Sequence, residues 1–229
     1  MFPTQDEACR FSRGARFASP IAIAVFARAP VPGHAKTRLI PCLGPQGAAA
    51  LQRAFILRTL RTARAAALGP VSLWCAPNCS HPVFAASRKD LGVTLHPQCD
   101  GDLGERMFDA LAQLCRHGPA LLIGTDCPAL TPTHLITAAR ALREGKDAVL
   151  LPAEDGGYVL IGLRRAETFL FDGLPWGNSE VMAETRERLR RATWCWEEPA
   201  LLWDVDDPAD LERLRASGLM AGWFAGNGV

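Results

Sequence analysis

Apolar positions along the chain alternate between two patterns. Residues 21–27 form an unbroken hydrophobic run, Ile-Ala-Ile-Ala-Val-Phe-Ala, as a parallel strand covered on both faces requires. Residues 71–75 and 120–123 repeat that pattern, and shorter runs predict strands at 93–95, 148–151, 159–162 and 194–196. Between them the period changes to that of a helix. Over 45–67, Leu51, Phe55 and Leu60 share a broad apolar face while Arg53, Arg61 and Arg64 fall elsewhere, and Gly69-Pro70 ends the segment. Further helices are predicted over 82–90, 103–115, 131–143 (with Pro132 in the first turn), from the Asn178-Ser179-Glu180 cap to 191, and over 208–216. This alternation predicts an α/β fold, a three-layer αβα sandwich around a mainly parallel sheet. In such a sheet the strand-to-helix loops gather at the carboxyl edge, where ligands bind. No linker or repeat interrupts the pattern, so we expect one domain over 20–229 behind a flexible N-terminal extension, residues 1–19.

Composition narrows the function. The formal net charge of the 229 residues is +1, with arginines spread along the chain and no basic block, which argues against a nucleic-acid partner. No uncharged apolar stretch approaches the roughly 20 residues of a membrane span. The run at 21–27 is too short for a signal peptide and leads into Arg28-Ala29-Pro30, not a small-residue cleavage site. A cytoplasmic protein is expected. The eight cysteines include no Cys-x-x-Cys pair and read as free thiols. Cys75 and Cys79 have the spacing of half a metal site, but no second pair accompanies them.

Three loops carry candidate chemistry. After the first strand comes Ala29-Pro30-Val31-Pro32-Gly33-His34-Ala35-Lys36-Thr37-Arg38-Leu39. Gly33 permits close backbone approach, and Lys36 with Arg38 brings two cations to the place where a phosphate chain would lie. The spacing is neither that of a Walker A loop nor of the dinucleotide fingerprint. After the central strand, Gly124-Thr125-Asp126-Cys127-Pro128 puts a carboxylate at a strand end, suited to Mg²⁺ or Mn²⁺ bridging to phosphates. Late in the chain, in Trp203-Asp204-Val205-Asp206-Asp207-Pro208-Ala209-Asp210, Asp207 reads as a helix N-cap with proline at N1 and Asp210 as a first-turn acid. Asp206 is left to face the ion, with Asp204 as the other candidate. Two further loops, around Gly101-Asp102-Leu103-Gly104-Glu105-Arg106 and Asp155-Gly156-Gly157-Tyr158, shape the pocket, although a tight hairpin explains Asp155-Gly156 equally well.

These segments, in this order and over roughly residues 20–215, resemble a bacterial transferase family associated with radical-SAM/selenodomain proteins (DUF2064). That family is glycosyltransferase-like and similar to the guanylyltransferase of coenzyme F420 synthesis. The resemblance implies the nucleotide-diphospho-sugar transferase (GT-A) fold. It places nucleotide contacts at Ala27, Gly33, Lys36, Arg38, Gly101, Asp102, Gly104 and Arg106, and the divalent ion on Asp126 and Asp206. Acceptor contacts fall on Asp155, Gly156, Gly157, Tyr158, Trp176 and Asn178, and Lys36, Arg38 and Asp126 become the catalytic set. The chain departs from many sugar nucleotidyltransferases in having Ala29-Pro-Val-Pro-Gly33 where they begin Gly-Gly. The expected activity is Mg²⁺- or Mn²⁺-dependent nucleotidyl transfer from an NTP to a small phosphorylated acceptor. The alternatives are glycosyl transfer from an NDP-sugar and nucleotide binding without catalysis.

Overall fold

The computed structural model describes residues 20–227, so the expected extension over 1–19 lies outside the described residues. A seven-stranded sheet has the order β3-β2-β1-β4-β6-β5-β7. Its strands are β1 (Ala22–Arg28), β2 (Val71–Ala76), β3 (Thr94–Pro97), β4 (Ala120–Ile123), β5 (Ala148–Pro152), β6 (Tyr158–Leu163) and β7 (Trp196–Glu197). β6 runs antiparallel to both its neighbours and all other pairings are parallel. Because β6 is reversed, its first residue, Tyr158, lies at the same edge as the carboxyl ends of the other strands.

The helices are α1 (Ile40–Ala65), α2 (Pro82–Leu91), α3 (Leu103–Leu114), α4 (Pro132–Arg143), α5 (Val181–Arg191), α6 (Pro208–Ser217) and α7 (Ala221–Asn227). Alternation along β1 shows the three layers directly. Ile23 and Val25 pack with Ile56 and Leu60 of α1, Phe84 of α2 and Leu135 of α4. Ala24 and Phe26 face Met107 and Leu111 of α3 and Met182 and Leu189 of α5. None of these helices is long and apolar enough to cross a membrane.

Local chemistry explains most boundaries. Gly44, at φ 67° and ψ 167°, breaks α1 just before Pro45, so its regular part starts where the sequence pattern starts. Asp207 caps α6 by accepting from the Ala209 and Asp210 amides, with Pro208 behind it. At α5 the side chain of Asn178 caps nothing within the helix. It accepts from the Glu180 amide at 2.8 Å, a turn that precedes the helix. The strand expected over 194–196 lies instead at Trp196–Glu197, and Trp194 before it is buried beside Phe169, with the Arg165 guanidinium 4.5 Å from its ring centre. α7 has no counterpart in the hydrophobic pattern. The seven cysteines among the described residues are free thiols.

Candidate active site

The first loop is fastened at both ends before it reaches the site. Ala29 donates to Ala76 O at 2.7 Å, and Val31 O accepts from His34 and Ala35 at 3.0 and 3.1 Å. Ala35 and Leu39 are buried. Between them Lys36 takes a left-handed conformation, φ 47° and ψ 48°, which an L-residue with a long side chain adopts at a penalty of about 1–2 kcal/mol. The strain is held by a turn in which Leu39 N donates to Lys36 O at 2.9 Å.

A small core brings this loop to the late acidic segment. Leu39, Leu51, Phe55, Val205, Leu211 and Leu214 form a separate buried cluster that joins the start of α1 to α6. As a result Lys36 Nζ lies 2.6 Å from Val205 O, 2.8 Å from Asp206 Oδ1 and 3.0 Å from Asp126 Oδ1. The lysine side chain is only 5% exposed, whereas Asp126 and Asp206 are 43% and 45% exposed. Burial on its own would push the Lys36 ammonium down. The charges of Asp126 and Asp206 outweigh it and hold the group above its ordinary value.

The Asp126 carboxylate is oriented from behind, and Asp206 is held through its backbone. Gln52, a polar residue on the buried side of α1, donates to Thr125 Oγ1 at 3.3 Å, and that hydroxyl donates to Asp126 Oδ1 at 3.3 Å. Val205 N donates to Asp126 O at 2.9 Å, tying the two acidic segments together. The Asp206 and Asp207 amides both donate to Asp210 Oδ2, at 3.0 and 3.1 Å. Asp207 and Asp210 are therefore used up in capping, and Asp206 is left facing the site. Asp204 is more deeply placed. Burial, reinforced by the negative charges of Asp155, Asp206 and Asp126, pushes its carboxyl up to about 7.

These groups border a cleft of about 730 Å³ at the carboxyl edge of the sheet, within the size range of small-molecule sites. Its lining carries both signs, with Arg28, Arg38 and Arg106 as well as Asp126, Asp155 and Asp206. Arg38 is exposed and makes no hydrogen bond or ion pair among the described residues. A smaller recess of about 150 Å³ adjoins the cleft and shares Arg28, Ala76, Gln98 and Arg106 with it.

Of the residues expected from the sequence, the cleft gathers Ala27, Lys36, Arg38, Arg106, Asp126, Asp155 and Asp206. Others are held elsewhere. Gly33 is exposed, with open space where a Cβ would sit. Asp102 caps α3 in a capping box with Glu105, and the Gly101 carbonyl accepts from Arg106 Nε at 3.0 Å. A Cβ at Gly104 would stand 2.5 Å from Trp176 Nε1 and 2.7 Å from Phe171 O, so packing accounts for that glycine. Asp155 Oδ1 accepts from the Gly157 amide at 2.9 Å inside the β5–β6 hairpin. Gly156, at φ 93°, is packed against the Ser179 backbone. The Tyr158 hydroxyl is buried without a hydrogen-bond partner among the described residues, as is Trp176 Nε1, and the two rings meet edge to face at 6.3 Å. Gly156, Gly157, Tyr158, Trp176 and Asn178 thus support the wall next to Asp155 and Gly177 and do not themselves line the cleft. Sequence reasoning missed Arg28 and Gln52. A charged residue ending a buried strand and a glutamine on an apolar helix face were the signals that could have found them.

The acidic side suits a hard cation. Among the described residues no group of three or more His, Cys, Asp or Glu is placed to hold a metal ion by itself. Two carboxylates whose Oδ1 atoms converge on one point do fit Mg²⁺, which commonly takes one or two protein carboxylates and completes its shell with water and substrate phosphates.

Comparison with known proteins agrees with this architecture. None of the functionally curated proteins matches the sequence. In a solved structure from Desulfovibrio desulfuricans G20, provisionally described as a nucleotide-diphospho-sugar transferase, the matched chain is 31% identical. The match covers 86% of this chain and 87% of that one with a TM-score of 0.78. Two more distant structures share the fold. CMP:2-keto-3-deoxy-manno-octonic acid synthetase, in complex with CTP, is 18% identical over 89% of this chain and 99% of its own, TM-score 0.55. Glucosyl-3-phosphoglycerate synthase from Mycobacterium tuberculosis, in complex with Mn²⁺, UDP and glucosyl-3-phosphoglycerate, is 12% identical over 99% and 85%, TM-score 0.52. The fold is that of the nucleotide-diphospho-sugar transferases. Residues 59–178, just over half of the chain, match a family described as uncharacterized proteins conserved in bacteria, and the chain belongs to that family, DUF2064.

Proposed function

We propose that this protein is a cytoplasmic, metal-dependent nucleotidyltransferase that moves the nucleotidyl group of an NTP to a small phosphorylated acceptor. The observation that carries the reading is one cleft lined both by three arginines and by a carboxylate pair, Asp126 and Asp206, that shares Lys36. An acceptor phosphate oxygen would attack the α-phosphorus of the NTP while the bond to the departing pyrophosphate breaks. Such a reaction needs positioning and charge neutralisation, and no side-chain nucleophile. Arg38, in a cleft also lined by Arg28 and Arg106, is free to pair with phosphate oxygens in forked geometry. Lys36 would reach them by releasing an acid, because its ammonium is already bound to Val205 O and paired with Asp206 and Asp126. A divalent ion on Asp126 and Asp206 would neutralise charge on the phosphate chain.

Glycosyl transfer from an NDP-sugar is the second reading, favoured by the provisional description of the Desulfovibrio protein. Incubation with α-labelled NTPs, Mg²⁺ and a panel of sugar and organic-acid phosphates separates the two. Pyrophosphate release with label retained in the product is the expected result. Turnover of NDP-sugars to free NDP, with no pyrophosphate from any NTP, would overturn nucleotidyl transfer.

A further inference from the structure

The three acceptors around Lys36 have a consequence beyond holding the loop. Lys36 Nζ donates to Val205 O and Asp206 Oδ1 and forms an ion pair with Asp126 Oδ1, all within 3.0 Å. The point at which the two carboxylate oxygens converge is therefore filled by a cation of the protein's own. A divalent ion shared by the same two oxygens must come within about 2.0–2.1 Å of each in the case of Mg²⁺, so ion and ammonium compete for one place. The lysine backbone is poorly suited to move, being locked in its left-handed turn between buried Ala35 and Leu39. Its side chain is the part that yields. The stem passes the Phe55 ring, with Nζ 5.7 Å from the ring centre, and the same residue lines the cleft beside Arg38.

We propose that Lys36 is a built-in counter-cation for the Asp126–Asp206 pair, that a divalent ion enters only by displacing it, and that the displaced ammonium turns to the phosphate chain beside Arg38. This inference rests on the metal-dependent reading above. It adds that Lys36 weakens metal binding to the nucleotide-free protein and so couples metal entry to the arrival of a nucleotide. While no ion is present, the two acids stay converged without repelling each other. Once an ion and a nucleotide arrive together, the phosphates give the ammonium a new set of anionic partners. The lysine is then a positioning residue before binding and a phosphate ligand after it.

The test uses the full chain without nucleotide. Mn²⁺ binding, followed by the electron paramagnetic resonance signal of the free ion, is compared in wild type, Lys36→Met and Asp126→Asn. Folding of each variant is checked by circular dichroism. The expected result is affinity about tenfold tighter or more in Lys36→Met, because a positive charge at hydrogen-bond distance has been removed, and weaker in Asp126→Asn. A second measurement keeps the wild-type chain and reports displacement itself. The sequence contains only three lysines, Lys36, Lys89 and Lys146, so side-chain ¹⁵N labelling yields three ammonium signals. Mg²⁺ is expected to shift or abolish the Lys36 signal and leave the other two in place. Unchanged or weaker Mn²⁺ affinity in folded Lys36→Met, or a Lys36 signal unmoved at saturating Mg²⁺, would overturn the displacement while leaving an Asp126-dependent metal site intact. If no divalent ion binds in an Asp126-dependent way, with or without nucleotide, both the displacement and the metal-dependent reading fall. Should Lys36→Met not fold, the wild-type lysine spectrum decides.

Discussion

Lys36 Nζ stands 2.8 Å from Asp206 Oδ1, although 170 positions separate the two residues in the chain. The contact closes the first loop onto the last acidic segment. Replacing Lys36 by Met leaves the two acids facing each other and takes a cation from the phosphate chain. We expect kcat/KM to fall by about a hundredfold or more, the scale of losing one group that stabilises developing charge. Steady-state kinetics on the folded variant checks this, and turnover near the wild-type rate would remove Lys36 from the site.

Arg38 predicts a different outcome. It is exposed and unpaired among the described residues, so Arg38→Ala should change stability by no more than about 0.5 kcal/mol. Loss of a charge-assisted phosphate contact should weaken NTP binding by about 1.5–3 kcal/mol. Thermal unfolding and calorimetric titration read the two effects separately. A variant that unfolds earlier yet binds NTP normally would assign Arg38 to structure.

Asp204 predicts a pH dependence. Its folded-state carboxyl is raised to about 7 from an ordinary 3.8, by burial first and then by Asp155, Asp206 and Asp126. Its contribution to stability is therefore complete below about pH 4 and lost as pH rises through 7. Asp204→Asn keeps the shape and removes the penalty. In chelator-treated protein its melting temperature should rise above wild type progressively from about pH 4 to about pH 7 and then hold a constant lead. Because Asp204 is half-buried, the final advantage is expected at about 1–2 kcal/mol, well under what the full shift would convert to. A difference that does not vary with pH would mean that Asp204 does not titrate in this range.

Gly156 tests the wall beside Asp155. It adopts φ 93°, and a Cβ would come within 2.6 Å of Ser179 Cα. Gly156→Ala must strain the turn and push away the backbone before α5, a loss of about 2 kcal/mol or more in thermal unfolding. Wild-type stability in this variant would mean that the hairpin does not dock on Ser179.

Legibility in the sequence differed from one element to the next. β1 was legible because a run of seven apolar residues between Pro20 and Pro30 is too short for a buried helix and of the right length for a buried strand. The capping of α6 by Asp207 and Pro208 was equally legible, since caps are settled within four residues. The insertion of reversed β6 between β4 and β5 was not, because strand order depends on pairings distant in the chain. Lys36, Asp126 and Asp206 were each legible as candidates from their positions in the loops. The pairing of Asp126 with Asp206 was expected too, but the insertion of Lys36 between them was not, because it depends on the small core of Leu39, Phe55, Val205 and Leu211. The same limit applies to Gly104 and Asp102, whose structural roles, close packing against Trp176 and capping of α3, were not read from the sequence.

The most direct test of a metal-bridged nucleotide at this cleft titrates wild type and the Asp126→Asn, Asp206→Asn double variant with NTPs, with and without Mg²⁺. Mg²⁺ is predicted to tighten NTP binding to wild type by about tenfold or more, the effect of an ion bridging protein carboxylates and phosphates. The folded double variant is predicted to lose this gain. An equal Mg²⁺ effect in both proteins, or no NTP binding to wild type, would contradict the bridge.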